Sequence, residues 1–153
     1  LRVGRPKIPV LYDASYEFVV GQGHVRRDGL DATVIACGLL VQAADRAAEL
    51  LKDEGIKIRV INMATIKPLD ESLVIKAASE TGAIVTAEEH SVIGGLGTAV
   101  ARCLTLNHPV PMEQVGVNDR FGESGKWFDV IERYGLTADG IVQAVHRVLL
   151  RKN

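Results

Sequence analysis

No stretch of this chain approaches the ~18 consecutive apolar residues that a membrane-crossing helix requires. Its first residues also lack the basic start and apolar middle of a secretory signal. No sign of charge predominates: 18 Lys and Arg stand against 19 Asp and Glu, a formal net charge of -1. That balance argues against a strong electrostatic pull toward nucleic acid or an anionic lipid surface. Cysteine is nearly absent. Cys37 and Cys103 have no C-x-x-C partner and no histidine at metal-ligand spacing, so they read as reduced core thiols of a cytoplasmic protein. Internal repeats and low-complexity tracts are missing too. Hydrophobic residues make up 47% and charged residues 24%, close to the soluble globular average. The 153 residues suffice for one compact domain and are too few for two ordinary ones.

Residues 1–13, with Pro6 and Pro9, read as an extended arm ahead of a domain over 14–153. The opening on Leu1 rather than Met suggests a piece of something longer. Tyr16–Val20 and His24–Arg27 are expected as short strands around Gly21 and Gly23. Asp31–Cys37 is a β-branched apolar run, the mark of a strand buried on both faces. A helix is expected from Gly38 to about Glu54, with Leu40, Ala44, Ala47 and Leu51 inward, Ala43 and Leu50 beside them, and Gly55 as its stop. A strand over Ile56–Ile61 follows, then a helix capped by Asp70 that runs through Ala78 to Gly82. Next come a strand over Ala83–Ala87 and a helix over Leu96–Leu106 whose inner stripe is Leu96, Val100, Cys103 and Leu104. Met112–Val117 is the last strand. A polar turn leads to a short helix at Trp127–Tyr134, and Thr137 caps a final helix with Ile141, Val145 and Val148 inward. Strands alternating with helices imply one three-layer α/β/α domain around a mostly parallel sheet.

The densest chemistry lies in Ile84–Gly97, where an apolar run ends in Glu88, Glu89 and His90 and a turn of Gly94, Gly95 and Gly97 follows. Such glycines bend the backbone tightly and bare its amides at a helix start. A dinucleotide fingerprint fails here, because Val100 stands where its third glycine belongs and no acid lies about 20 residues on. A small anion on the amides of Gly95 to Thr98 is one alternative; close packing against another surface is the other. Neighbouring acids on a strand point to opposite faces, which disfavours a convergent acid–base pair. One of Glu88 and Glu89 is expected to accept from the turn amides, with His90 facing a partner. His24, His108 and His146 share no spacing, and Ser15, Ser91 and Ser124 lack a nucleophile-elbow setting. Arg2, Arg5 and Lys7 form a basic cluster on the arm, either a solvated terminus or a phosphate clamp.

Taken together, Arg59-Val60-Ile61-Asn62-Met63-Ala64-Thr65-Ile66-Lys67-Pro68-Leu69-Asp70, Thr86-Ala87-Glu88-Glu89-His90 and Gly94-Gly95-Leu96-Gly97 resemble the C-terminal domain of transketolase. Phe121-Gly122-Glu123-Ser124-Gly125 and Tyr134-Gly135-Leu136-Thr137 agree with that family's closing segment. The resemblance covers nearly the whole chain and is closest to the C-terminal subunit of two-chain transketolases. It implies a mixed five-stranded sheet whose first strand runs against the others. It further implies a role without catalytic residues, helping dimer assembly and possible regulation. The complete enzyme would transfer a two-carbon ketol unit between sugar phosphates with thiamine diphosphate and a divalent metal, Mg2+. Neither group is expected on this chain, which lacks the G-D-G…Asn thiamine motif and the pyrimidine-binding domain. The partners implied are the remaining transketolase domains or an N-terminal subunit, and a second copy of the chain. By the same resemblance Arg5 corresponds to an arginine that binds the substrate phosphate. The 2-oxoacid dehydrogenase β subunit and 1-deoxyxylulose-phosphate synthase share the domain. The first usually lacks the E-E-H and G-G-L-G pair, and the second shows E-E-N with G-G-A-G, so His90 and Leu96 favour transketolase. A small-anion-binding regulatory module is the remaining alternative.

Overall fold

The computed structural model describes residues 9–152. In chain order its elements are β1 (His24–Arg27), β2 (Ala32–Ala36), α1 (Leu40–Asp53), β3 (Ile58–Asn62) and α2 (Glu71–Thr81). They continue with β4 (Ile84–Ser91), α3 (Leu96–Asn107), β5 (Met112–Val117), α4 (Trp127–Arg133) and α5 (Ala138–Leu149). The five strands form one sheet in the order β1-β3-β2-β4-β5. All pairs are parallel except β1 against β3, so the α/β sheet with a reversed first strand is as expected.

Strand alternation divides the interior into two layers. Val34 on β2 lies between Val60 and Val85, and all three face α1 and α5 together with Leu51, Ile141 and Val145. One residue further along, Ile35 faces the opposite way and packs with Ile61, Val74, Val100 and Leu104 of the α2–α3 layer. Because both faces are covered, β2 and β3 are buried along their full length, which is why their sequences are continuously apolar rather than alternating. Thr33 on β2 and Asn62 on β3 are buried polar exceptions, and Arg59 on β3 is the charged one. Its guanidinium, 8% exposed, pairs with Asp28 at 2.7 Å and with Glu80, so the charge at the sheet's amino end is matched.

Helix termini follow local chemistry. Asp70 Oδ1 accepts from Leu73 N at 3.0 Å and caps α2, while Gly82 closes it in the left-handed region at φ 64°, a conformation that costs glycine little. Thr137 Oγ1 accepts from Gly140 N at 3.1 Å and caps α5. Three expectations need correction. Tyr16–Val20 is not a strand, since β3 is already paired with β1 and β2 and the segment turns at Gly21, φ 85°. The first helix starts at Leu40 rather than Gly38, because Gly38 sits at φ 57° outside the helical region. Its inward stripe is wider than expected, adding Val41 and Ala48, while Ala43 packs half-buried against it and Leu50 is half-buried. Cys103 is buried as expected, whereas Cys37 is half-buried at the end of β2.

Both outer strands carry charge. β1 is four residues long, and its register against β3 slips between Val25 and Arg27. Arg26 and Arg27 on it pair with Asp45 of α1. At the far side Glu113 of β5 pairs with Arg147 at 2.9 Å and Arg151 at 2.6 Å, and Arg151 also donates to the Met112 carbonyl.

Candidate functional site

The strand order reverses between β2 and β4. The helices that follow these two strands leave toward opposite layers, the arrangement that opens a crevice at the carboxyl edge of an open α/β sheet. The glycine turn lies at that edge. Pairing of β4 with β5 runs regularly to Ala87–Val115 and resumes at Ser91–Val117. Four positions on one strand thus match two on the other, a bulge that re-aims the side chains between them.

Glu88 points inward from this bulge and is 2% exposed. Its Oε2 accepts from Leu96 N and its Oε1 from Gly97 N, both at 2.7 Å. A carboxylate carried by β4 therefore caps α3, meeting two amides that have no partner within the helix and the positive end of its dipole. The glycines make this approach possible. A Cβ on Gly95 would overlap the Glu88 carboxylate, and one on Gly97 would meet Gln114 Oε1 at 2.6 Å and Thr86 Oγ1 at 3.0 Å. Gln114 Oε1 is itself buried without a hydrogen-bond partner among the described residues. Gly94, at φ 83°, donates to Thr98 Oγ1, which in turn donates to the Val92 carbonyl.

Of the acids at this turn, Glu88 is thus the one that accepts from its amides. Glu89 is half-buried, and His90 is exposed with Nδ1 2.8 Å from the Ser91 carbonyl. The three do not converge. Large apolar side chains are exposed on segments next to the strand ends, among them Val20 before β1, Ile66 after β3, Ile93 after β4 and Phe121 after β5. Exposed large apolar side chains in such number suit contact with another protein surface.

A second polar cluster at the same edge went unread in the sequence. Tyr12 stacks on Tyr16 at 3.8 Å between centroids, and His24 meets both rings edge-on at 5.3 Å. The Tyr12 hydroxyl accepts from Asn62 Nδ2 at 2.8 Å. Arg26 lies 4.8 Å over the Tyr12 ring and donates from Nε to Asp45 Oδ2 at 2.8 Å. Burial raises the Tyr16 phenol pKa, with Tyr12 adding to the effect and Arg26 opposing it. Burial would lower the Arg26 pKa, but Asp45 and Tyr12 hold it above its ordinary value. No local spacing announces this group, since its members come from the arm, β1, α1 and β3. Arg5, with Arg2 and Lys7, lies outside the described residues.

Among the described residues no cluster of three His, Cys, Asp or Glu is placed to hold a metal ion, and no helix is long and apolar enough to cross a membrane. His108 follows α3 as its C-cap, and His146 on α5 pairs with Glu54 at 2.8 Å; neither joins the site.

Among known proteins, the family described as Transketolase, C-terminal domain, matches residues 21–141. The 6-deoxy-6-sulfo-D-fructose transketolase subunit SqwH of Clostridium sp. (strain MSTE9) is 50% identical over 137 residues, covering 90% of this chain and 42% of its own length. One subunit of the apulose-4-phosphate transketolase of Phocaeicola vulgatus is 42% identical over 142 residues, covering 92% and 45%. A solved structure named Split gene transketolase, inactive beta4 tetramer, matches with a TM-score of 0.92 at 46% identity, covering 95% of this chain and 48% of that one. The chain therefore spans somewhat under half the length of these relatives.

Proposed function

The chain belongs to the transketolase C-terminal domain family, and from that premise we propose that it is the non-catalytic C-terminal part of a thiamine-diphosphate-dependent transketolase. In this reading the complete enzyme moves a two-carbon ketol unit between sugar phosphates. This chain joins a partner that carries the rest of the fold, supports assembly of the dimer in the cytoplasm, and offers a surface for regulation. Thiamine diphosphate and Mg2+ would be held by the other domains of the complete enzyme and would supply the chemistry of ketol transfer there. Among the described residues no cluster of three His, Cys, Asp or Glu is placed to hold a metal ion, and no step of that reaction is assigned to this chain. Residues 1–13 act as the arm leading from the preceding domain, with residues 14–153 as the C-terminal domain and Arg5 on the arm as ligand to the substrate phosphate.

The observation that carries this reading is the internal use of the polar groups at the carboxyl edge. Glu88 is consumed in capping α3, Glu89 is half-buried and His90 exposed, and large apolar side chains are exposed on the segments after β3, β4 and β5. That pattern supports a surface made to meet protein rather than to perform chemistry. It also weighs against a small-anion module, because the amides of Leu96 and Gly97 already hold a carboxylate. By analogy with the structural relative, named as an inactive β4 tetramer, the chain self-associates when its partner is missing.

The test is reconstitution with transketolase polypeptide that carries both the diphosphate-binding and the pyrimidine-binding domains, and assay of ketol transfer from a pentose phosphate. Activity should appear in the mixture and in neither part alone. Turnover by this chain alone would overturn the proposal, and activity of the mixture on a branched 2-oxo acid would assign the chain to the dehydrogenase relative instead.

A further inference from the structure

We propose that a second copy of this chain docks on the margin built by α4 and the strap before it, each copy setting an aromatic ring into an apolar groove of the other. This rests on the self-association proposed above and names the face that carries it. The chain has three Phe and one Trp, and none of them lies in the core. Phe18, Phe121, Trp127 and Phe128 are all exposed, and three of the four fall between positions 121 and 128. Rings of this size hold much of the apolar area a protein has to bury, so several left in water at one margin mark a contact surface. The helix that carries two of them buries no residue of its own.

The same margin is hollow. A groove of about 350 Å³ opens between α4 and the starts of α1 and α5, lined by Leu39, Ala43, Trp127, Ile131, Leu136 and Ala138. The strap is fastened along α4, since the Tyr134 hydroxyl donates to the Phe121 carbonyl at 2.7 Å and Arg133 pairs with Glu123. That anchorage fixes the backbone of Phe121 and leaves its ring 97% exposed. A knob and a hollow thus share the helix that walls the groove.

A patch that carries both parts is complementary to its own copy about a two-fold axis, where every contact is made twice. Charge does not call for a partner of opposite sign: at the rim Arg46 is matched by Glu49 and Arg133 by Glu123, which leaves the apolar centre as the source of attraction. Area agrees with a dimer contact. An aromatic side chain buries about 150–250 Å². One ring almost wholly exposed and two half exposed therefore supply about 400 Å² per copy, near half of the ~800 Å² per partner of a standard interface, and the groove walls add to it.

Sedimentation equilibrium of the chain over a concentration series tests this. The unsubstituted chain should self-associate. Phe121→Ser removes the knob and Ala43→Glu sets a charge in the groove, and each should raise the dissociation constant roughly tenfold or more. Because the Phe121 ring is exposed, Phe121→Ser should leave the urea midpoint unmoved, which separates lost association from lost folding. Ile93→Ser, on the glycine-turn segment, should associate like the parent. An equimolar mixture of the Phe121 and Ala43 variants retains one intact knob facing one intact groove, and should associate more tightly than either variant alone. A mixture no tighter than its components would overturn the knob-in-groove contact. If the parent associates and both variants match it, this face is wrong while self-association stands. If the parent is a monomer throughout, self-association falls and this face with it. Binding only to transketolase polypeptide that carries the other domains, weakened by both variants, would give the face to that partner and overturn the second copy.

Discussion

A single carboxylate organises the glycine turn. Glu88 is buried yet satisfied, because each oxygen meets one amide at the start of α3. Glu88→Ala strands both amides in a closed site, and an unsatisfied buried donor costs about 1–3 kcal/mol. A loss of about 3 kcal/mol is expected, read as a lower urea midpoint; a change under about 0.5 kcal/mol, the size of an ordinary surface effect, would mean water replaces the cap. Asp70 supplies a pH-dependent counterpart. Burial alone would raise its pKa, but the amides of Gly23 and Leu73 and the Ser72 hydroxyl outweigh that and hold it below the usual carboxylate range. The charged form is therefore favoured by folding. Its contribution is complete above the unfolded value, about pH 4, and is lost as pH falls through the lower native value. Asp70→Asn should be less stable than the parent at neutral pH, and that gap should shrink as urea midpoints are followed down to pH 2. A constant gap would contradict the assignment. At this scale the sequence was half legible. The adjacent acids and the glycines announced a carboxylate on turn amides, but choosing between Glu88 and Glu89 required the bulge, which depends on pairing with β5. Tyr12, Arg26 and Asp45 could not be grouped at all, because no local pattern links an arm, a strand and a helix.

Elements were more readable than their ends. Apolar periodicity locates α1, α3 and α5, and the caps at Asp70, Gly82 and Thr137 have the chemistry their positions require. Thr137→Ala removes the bond to Gly140 N and should destabilise by about 1 kcal/mol, the usual worth of such a cap. The same loss from Thr137→Ser, which keeps a hydroxyl in place, would show that the methyl rather than the hydrogen bond matters. Tyr16–Val20 misled because aromatic and β-branched residues favour strands only where a neighbouring edge is free to pair. The helix after β2 begins late for a different reason, since Gly38 takes a left-handed turn before the helix can start. Both errors arise from partners or backbone angles that composition does not report.

The molecule as a whole is two cores separated by one sheet, and their independence can be measured. Ile141 belongs to the α1–α5 layer and Ile35 to the α2–α3 layer. Ile→Val at either should cost about 0.5–1.5 kcal/mol, and the double variant should equal the sum within about 0.5 kcal/mol. A larger departure would mean that strain passes through the sheet. Architecture was the most legible property, because alternating elements and doubly buried strands leave few other arrangements. The outermost strands have one further bearing on assembly. Main-chain groups on a bare strand invite annealing with another chain, a hazard that basic side chains, a slipped register and short length all discourage. β1 has all three, and at the opposite margin Arg151 occupies the Met112 carbonyl. Edge-to-edge annealing between copies of this protein is thereby discouraged at β1 and at the start of β5.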